Sequence, residues 1–563
     1  MLPAATDEVP MRSRMELFAS ACMGAFALSA CSTSDGGASR SGGSGSSMGG
    51  ATSAIGTSGS GTSGSGGASG SISTAGSGPV PNSPSSGGST SKDGSSSASG
   101  PMSSDGSAAG NGSGGGSPSP VDASSTASPG LDGDIASILA NVSGDRIWQS
   151  VQTLAEFGTR SSCSPQTSGA QGIVAARDWV KSKLDAIAGL HTSLYPYAQT
   201  RCAQQFTRHD VIALLPGTTH PERVIIVGGH YDSRTIDVLD GTSPAPGAND
   251  SGSQTALVLE LARAFAGHAF DDTIAFIAFA GEEQGMVGSR ALAMDMSSVV
   301  PAAQVVAMLQ SDIVGGDNTV NDANALQHFR LYSPGTPREV SASAPDGTTD
   351  DTSPSRGVMR YVATWGAAYV PSMSIVPVLR EDRPGRGSDH EPFIDMGRPG
   401  VRFIDTVETP NAGTVTSHQH SPNDLTMYVT PAYTARIAQV VAAVAANLAR
   451  APDAPRSVAV GGNATGPTLT WSPPGTGPVD HYVVAARPAT ENFYHTRVRV
   501  DGAATRATVT PTVLGVDVSR PYFVSVAAID ARGHESLFAY PEYRCDSSSC
   551  AVPPRALNIT TKN

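Results

Sequence analysis

The chain has 563 residues, of which 39% are hydrophobic and only 15% charged, with a net charge of −13. That length holds two or three domains, and the acidic balance argues against nucleic acid or an anionic membrane surface as the main partner. The 63 Gly and 40 Pro point to a structureless segment alongside packed domains.

The front of the chain reads as a targeting signal. Met11-Arg12-Ser13-Arg14 is a basic start, and the apolar run 17–28 is too short to span a bilayer. It ends in Leu28-Ser29-Ala30-Cys31, which resembles the bacterial lipobox, where the cysteine takes a lipid and becomes the mature N-terminus. Residues 1–31 are therefore expected to be a lipoprotein-type signal, with the protein exported to the cell envelope and held on the membrane through a lipid on Cys31. An ordinary cleaved signal, leading to secretion, is the alternative. Asp7 and Glu8 suit no signal peptide, so translation is expected to begin at Met11 rather than Met1. Residues 32–130, almost all Ser, Gly, Ala, Thr and Pro, have too little apolar surface to offset chain entropy and read as a disordered tether. Beyond Cys22 and Cys31 in the signal, four cysteines remain in an exported chain, and Cys163–Cys202 with Cys545–Cys550 is the economical disulfide pairing. No CxxC spacing suggests thiolate zinc.

Residues 131–451 form the large domain. Helical spacing covers 135–154 and 170–187; strand-length apolar runs follow at 211–215 and 224–227. A helix is predicted over 251–265, then strands over 273–280, 305–310, 374–379 and 401–404. Thr430-Pro431 opens a last helix, to about 448. Alternating strands and helices predict a three-layer α/β/α domain with a largely parallel sheet.

The polar residues sit where such a sheet places ligands, beyond the carboxyl ends of its strands. His230 and Asp232 follow the strand 224–227, Glu282 and Glu283 the strand 273–280, and Asp312 the strand 305–310. Asp250 stands at a helix start, and the loop after 401–404 holds His418-Gln419-His420. Singly each has a plain explanation: a core imidazole satisfied by a local carboxylate, a helix cap, a polar loop. Together, two histidines and several carboxylates without a thiolate make a ligand set suited to zinc, with manganese or cobalt as further options.

The segments Gly229-His230-Tyr231-Asp232-Ser233, Gly247-Ala248-Asn249-Asp250-Ser251-Gly252, Phe279-Ala280-Gly281-Glu282-Glu283-Gln284-Gly285, Asp312-Ile313-Val314-Gly315, Ser388-Asp389-His390-Glu391-Pro392-Phe393 and His420-Ser421-Pro422-Asn423-Asp424 run in one order over about 211–448. In that order they resemble metallopeptidase family 28, the co-catalytic di-zinc aminopeptidases with their glutamate-carboxypeptidase and glutaminyl-cyclase relatives. The resemblance implies two zinc ions bridged by Asp250, one completed by His230 and Asp312, the other by Glu283 and His420. It further implies Glu282 as general base, and Asp232 as acceptor from the imidazole of His230. The expected activity is that of an exopeptidase on peptides or proteins, most simply an aminopeptidase; a single-zinc glutaminyl cyclase and an inert surface binding protein are the competing readings. Departures are Gln419, where the family often has Tyr, which leaves His418 as a competing ligand, and a polar stretch containing residues 346–351, expected as a loop insertion. Arg380, Arg383 and Arg386 would suit a substrate carboxylate, whereas Glu381 and Asp382 would suit a free amine.

From 452 to 545, short alternating runs at 468–471, 482–486, 497–500, 507–509 and 522–526 predict an antiparallel β-sandwich that resembles a fibronectin type III module, followed by a tail, 546–563. Trp471 and Tyr522 read as core packing, and the module as a spacer or docking unit.

Overall fold

The computed structural model describes residues 130–165, 169–317, 325–335, 353–382, 386–406 and 418–553. The signal, Cys31, the tether, the stretch 346–351, Arg383 and the last ten residues lie outside the described residues.

The large domain carries strands β1 (His191–Gln199), β2 (Phe206–Leu215), β3 (His220–His230), β4 (Asp272–Phe279), β5 (Gln304–Ser311), β6 (His328–Tyr332), β7 (Ser374–Val378) and β8 (Gly400–Asp405). Its helices are α1 (Gly133–Ala140), α2 (Gly144–Glu156), α3 (Gly172–Asp185), α4 (Gln254–Phe265), α5 (Val287–Met294), α6 (Met296–Val299), α7 (Pro354–Tyr361), α8 (Ala367–Tyr369), α9 (His390–Asp395) and α10 (Pro431–Leu448). The strands form one sheet in the order β1-β2-β4-β3-β5-β8-β6-β7. The central strands β4, β3, β5 and β8 run parallel, while β1 and β2 on one flank and β6 against β8 on the other are antiparallel.

Strand β4 shows why this sequence makes three layers. Every residue of it is buried. Ile274, Phe276 and Ala278 pack with α1, α2, α4 and α10, whereas Ala275, Ile277 and Phe279 pack with α5, α6 and Phe393 of α9. A strand covered on both faces must be apolar throughout, hence the unbroken run.

The region 135–154 is two helices, not the single one its spacing predicts. The chain breaks at Asn141-Val142-Ser143, and the Ser143 hydroxyl accepts from Arg146 N to start α2. Strand β1, an edge strand with mixed exposure, and the short β6 were not predicted. Both disulfides, Cys163–Cys202 and Cys545–Cys550, are formed.

The C-terminal module comprises β9 (Arg456–Gly461), β10 (Thr468–Ser472), β11 (His481–Pro488), β12 (Thr496–Asp501), β13 (Arg506–Thr508), β14 (Tyr522–Ile529), β15 (Tyr543–Cys545) and β16 (Cys550–Ala551). They form the sheets β13-β10-β9 and β12-β11-β14-β15-β16 around a core of its own. Trp471 lies edge-on to Tyr482 in that core, and Tyr522 is buried there.

The module meets the large domain along a seam. Glu542 is buried between Arg360 of α7 and Arg487 of β11, with Arg360 Nη1 2.9 Å from Glu542 Oε2. Tyr361 Oη donates to the carbonyl of Glu535, and Arg223 pairs with Asp453. His534 Nε2 lies 2.8 Å from Asp132, just ahead of α1. Phe493 and Leu537 pack against the core of the large domain. Burying a guanidinium such as that of Arg360 is costly without a counter-anion, and Glu542 of the other domain supplies one.

Candidate metal centre

Parallel strands deliver their carboxyl ends to one edge of the sheet, and the polar residues gather there. His230 is the last residue of β3; Glu282 and Glu283 lie just past β4; Asp312 follows β5. Asp250 sits at a kink, φ −106° and ψ 86°, in the turn Ala248–Ser253 that runs into α4. Two glycines make the tight turns possible. Gly247 has φ +51°, and a Cβ there would lie 2.5 Å from the Asp250 carbonyl. Gly281, φ +73°, passes so close to Tyr197 that a Cβ would lie 2.7 Å from its hydroxyl.

Asp250 lies between the two imidazoles. Its Oδ1 is 3.4 Å from His230 Nε2 and its Oδ2 is 3.0 Å from His420 Nε2. His230 Nε2 also lies 3.3 Å from Asp312 Oδ1, and His420 Nε2 lies 3.3 Å from Glu283 Oε2. Two donor trios thus share one carboxylate: His230, Asp250 and Asp312 on one side, His420, Asp250 and Glu283 on the other. Glu282 Oε2 lies farther off, 4.0 Å from His230 Nε2, yet His230, Glu282 and Asp312 each bring a donor atom within 4.8 Å of one another, as do His230, Asp250 and Glu283. His418 turns elsewhere, stacking on Tyr428 and pairing with Asp317 at 3.1 Å.

Asp232 stands beside His230 and does a second job as well. The nearest acceptor to His230 Nδ1 is the Asp232 carbonyl at 3.2 Å, with its carboxylate at 3.5 Å. The carboxylate also accepts from the backbone N–H groups of Glu282 and Glu283, at 3.3 and 3.2 Å. It therefore fixes the turn that presents both glutamates.

The electrostatics fit a cation. Asp250 Oδ1 and Glu283 Oε1 are buried with no hydrogen-bond donor among the described residues, a costly state unless a metal takes the lone pair. Burial pushes Glu282 well above the ordinary carboxylate range, with Asp312, Glu283 and Asp389 adding repulsion. Burial opposes protonation of His230, yet Glu282, Asp232 and Asp312 drive it well above its ordinary value. Against the same opposition from burial, Glu283 and Asp250 lift His420 to about 9. Two imidazoles that hold protons so firmly stand where positive charge is wanted, and two imidazoles with three carboxylates make a set that suits zinc.

Several residues at the site were not singled out from the sequence. Arg402 Nη2 lies 3.0 Å from Asp312 Oδ2, and Arg234 Nε 2.7 Å from Glu283 Oε2. Gln254 Nε2 reaches within 3.0 Å of His230 Nε2. Asp424 accepts from the backbone N–H groups of Asn249 and Asp250, at 2.8 and 2.9 Å, and burial lifts it to about 7. Only Asp424 had a signal, its place in the motif that begins at His420. Arg380 donates to the carbonyls of Glu381 and Asp382, and Asp382 itself lies 3.4 Å from Arg402 and 3.3 Å from Arg386.

Fold and donor set together define an α/β protein with a histidine–carboxylate centre at the carboxyl edge of its sheet. Residues 210–445 match peptidase family M28, and residues 453–541 match the fibronectin type III domain. A protein of Pyrenophora tritici-repentis named "Probable zinc metalloprotease" is 32% identical over 383 residues, covering 64% of this chain and 87% of its own. Another, of Leptosphaeria maculans, is 35% identical over 357 residues, or 59% and 80% of the two chains. The chain also aligns with the crystal structure of the LapA aminopeptidase of Legionella pneumophila over 56% of this chain and 75% of that one, at 20% identity and a TM-score of 0.43. The chain belongs to peptidase family M28.

Proposed function

We propose that the chain is an exported, zinc-dependent aminopeptidase that binds two zinc ions. The observation that carries this reading is Asp250, whose two oxygens face two imidazoles, each with a further carboxylate. His230, Asp250 and Asp312 would hold one ion, and Asp250, Glu283 and His420 the other. Zinc, when bound, supplies Lewis acidity, which acidifies water and polarises a carbonyl. Glu282, the carboxylate set farthest from the imidazoles, takes the proton of the attacking water and returns it to the leaving amine. Asp232 holds the Glu282 and Glu283 backbone in place while this happens. Asp424 does the same for Asp250.

Electrostatics favour a substrate amine over a substrate carboxylate. The guanidinium groups described near the centre already meet acceptors of the chain: Arg234 at Glu283, Arg402 at Asp312 and Asp382, Arg386 at Asp382, and Arg380 at backbone carbonyls. A substrate carboxylate would have to displace these partners, whereas a free amine would not. Two disulfides support folding in an oxidising compartment, in keeping with export and a lipid on Cys31.

The test is a panel of peptides with free amino termini, blocked amino termini and amidated carboxyl termini, run beside metal analysis. Cleavage confined to free amino termini, with close to two zinc ions per chain, is expected. One ion in fully active protein would favour the glutaminyl cyclase, and no ion under loading conditions would end both readings. Cys31→Ala is expected to move the protein from the membrane fraction to the soluble one with catalysis unchanged; retention on the membrane would place the anchor elsewhere.

A further inference from the structure

We infer that the β-sandwich positions the metal centre, acting through helix α7 on the pair Arg402–Asp312. This rests on Asp312 being a metal ligand. Helix α7 is held at one end by the sandwich. Arg360 Nη1 lies 2.9 Å from Glu542 Oε2, and its Nε donates to the carbonyl of Asn492 at 2.8 Å. Glu542 is itself fixed by Arg487, with Nη2 2.9 Å away, and by the Tyr494 hydroxyl at 2.5 Å.

The other end of α7 grips two segments of the large domain. Ser355 Oγ accepts from the N–H of Gly400, the first residue of β8, at 3.2 Å. Arg356 Nη2 donates to the carbonyl of Leu379, just past β7, at 2.6 Å. Both segments lead to the same guanidinium. Strand β8 carries Arg402, and the segment after Leu379 carries Asp382. Arg402 reaches Asp382 Oδ2 at 3.4 Å with Nη1 and Asp312 Oδ2 at 3.0 Å with Nη2.

The route is charged and polar throughout, and it lies in the interior. Ser355, Arg356, Arg360, Asp382, Arg402, Asp312, Arg487 and Glu542 are all buried. In such surroundings a displaced member leaves an unpaired charge or polar group, so small shifts at one end are resisted along the whole route. Arg402 occupies one oxygen of Asp312 and leaves Oδ1 turned to His230. Glu542, more than a hundred positions further along the chain, thereby helps set the direction of a ligand carboxylate. Arg402, Arg360 and Glu542 are positioning residues.

The experiment uses the full chain. Glu542→Gln removes the anion with little change of shape, and Ser355→Ala loosens the near end of the route. His534→Gln is the comparator, since its own contact across the same seam is to Asp132 ahead of α1, while the neighbouring Glu535 carbonyl keeps its bond from Tyr361 of α7. Zinc affinity is read by competition with a chromophoric chelator, and ligand geometry by the visible absorption of the cobalt-substituted protein. Glu542→Gln is expected to weaken zinc binding by about 2- to 30-fold, the size of effect remote coupled positions produce. It should also alter the cobalt bands, with Ser355→Ala moving both in the same sense by less. His534→Gln should lower thermal stability and leave both readouts as in the parent. If Glu542→Gln does not fold, Tyr494→Phe, which removes one donor to the same carboxylate, takes its place. Parental affinity and cobalt bands in Glu542→Gln (or its replacement) and Ser355→Ala would overturn the inference, as would equal changes in His534→Gln. Parental zinc affinity in Asp312→Asn would instead overturn the ligand assignment on which it rests.

Discussion

Glu282 and Glu283 are neighbours in the chain with different company. Glu283 Oε2 faces His420 and Arg234, whereas the nearest basic group to Glu282 is His230, at 4.0 Å. Under the proposed roles, Glu282→Gln keeps fold and zinc content, because the side chain is nearly isosteric and holds no metal. Its turnover should fall by roughly 10²–10⁴-fold or more, with a smaller effect on substrate binding. Glu283→Gln should lose one zinc ion, partly restored by excess metal. Metal analysis beside steady-state kinetics checks both, and zinc loss confined to Glu282→Gln would reverse the assignment. The sequence placed His230, Asp250, Glu282, Glu283, Asp312 and His420 at strand ends or in loops, and the structure gathers them. It could not show what Arg402 and Arg234 do, since an arginine bound to a distant carboxylate looks like any surface cation until the fold closes.

At the scale of elements, legibility followed burial. Strand β4 and the centre of β3 were plain because strands covered on both faces are uniformly apolar. Strand β1 was missed because its side chains alternate irregularly between water and the sheet. A second element-scale feature is the clamp on the glutamate turn. Ser162, beside Cys163, meets the Gln284 side chain, and Gln199 Nε2 donates to Ser162 Oγ at 2.6 Å. The Cys163–Cys202 bond ties these two segments together across a separation of 39 residues. Replacing both cysteines with serine should cost roughly 2–4 kcal/mol of stability by the loop-closure argument. Because Gln284 adjoins Glu283, turnover should also fall, by about tenfold, within the roughly 10²-fold that a 1 Å misplacement costs. Thermal melts with kinetics on the still-folded variant check this; unchanged turnover would mean the clamp holds without the bond.

For the whole molecule, the seam was the part least visible in the sequence. Arg360 and Glu542 lie far apart in the chain, and the turn signals between them suggested a detachable module. Another seam contact gives a pH signature. Arg223 bonds both oxygens of Asp272, at 2.9 Å each, and also pairs with Asp453 at the start of the second domain. Burial nevertheless pushes Asp272 up to about 6, above its ordinary 3.8. A carboxyl raised on folding stabilises the fold fully below the unfolded value, and that contribution is lost as pH rises through the folded value. Stability from this group should therefore decline between about pH 4 and pH 6, by roughly 2–3 kcal/mol. Asp272→Asn should flatten that part of the profile in denaturant titrations at stepped pH. A parallel profile in parent and variant would show that Asp272 ionises in the fold as it does in the unfolded chain.

The buried place of Glu542 also bears on timing. A chain is synthesised from its amino terminus, and Arg360 leaves the ribosome well before the carboxylate that neutralises it. Until then Arg360 lacks the Glu542 carboxylate, and the carboxyl edge of the sheet lacks one of its supports. Ribosome-held chains stalled after residue 451 should be cut by added protease within 353–382, and chains carried past residue 553 should resist; equal resistance would show that the first domain closes alone. The peptidase would then be silent throughout its own translation, becoming competent only once its last strands have emerged.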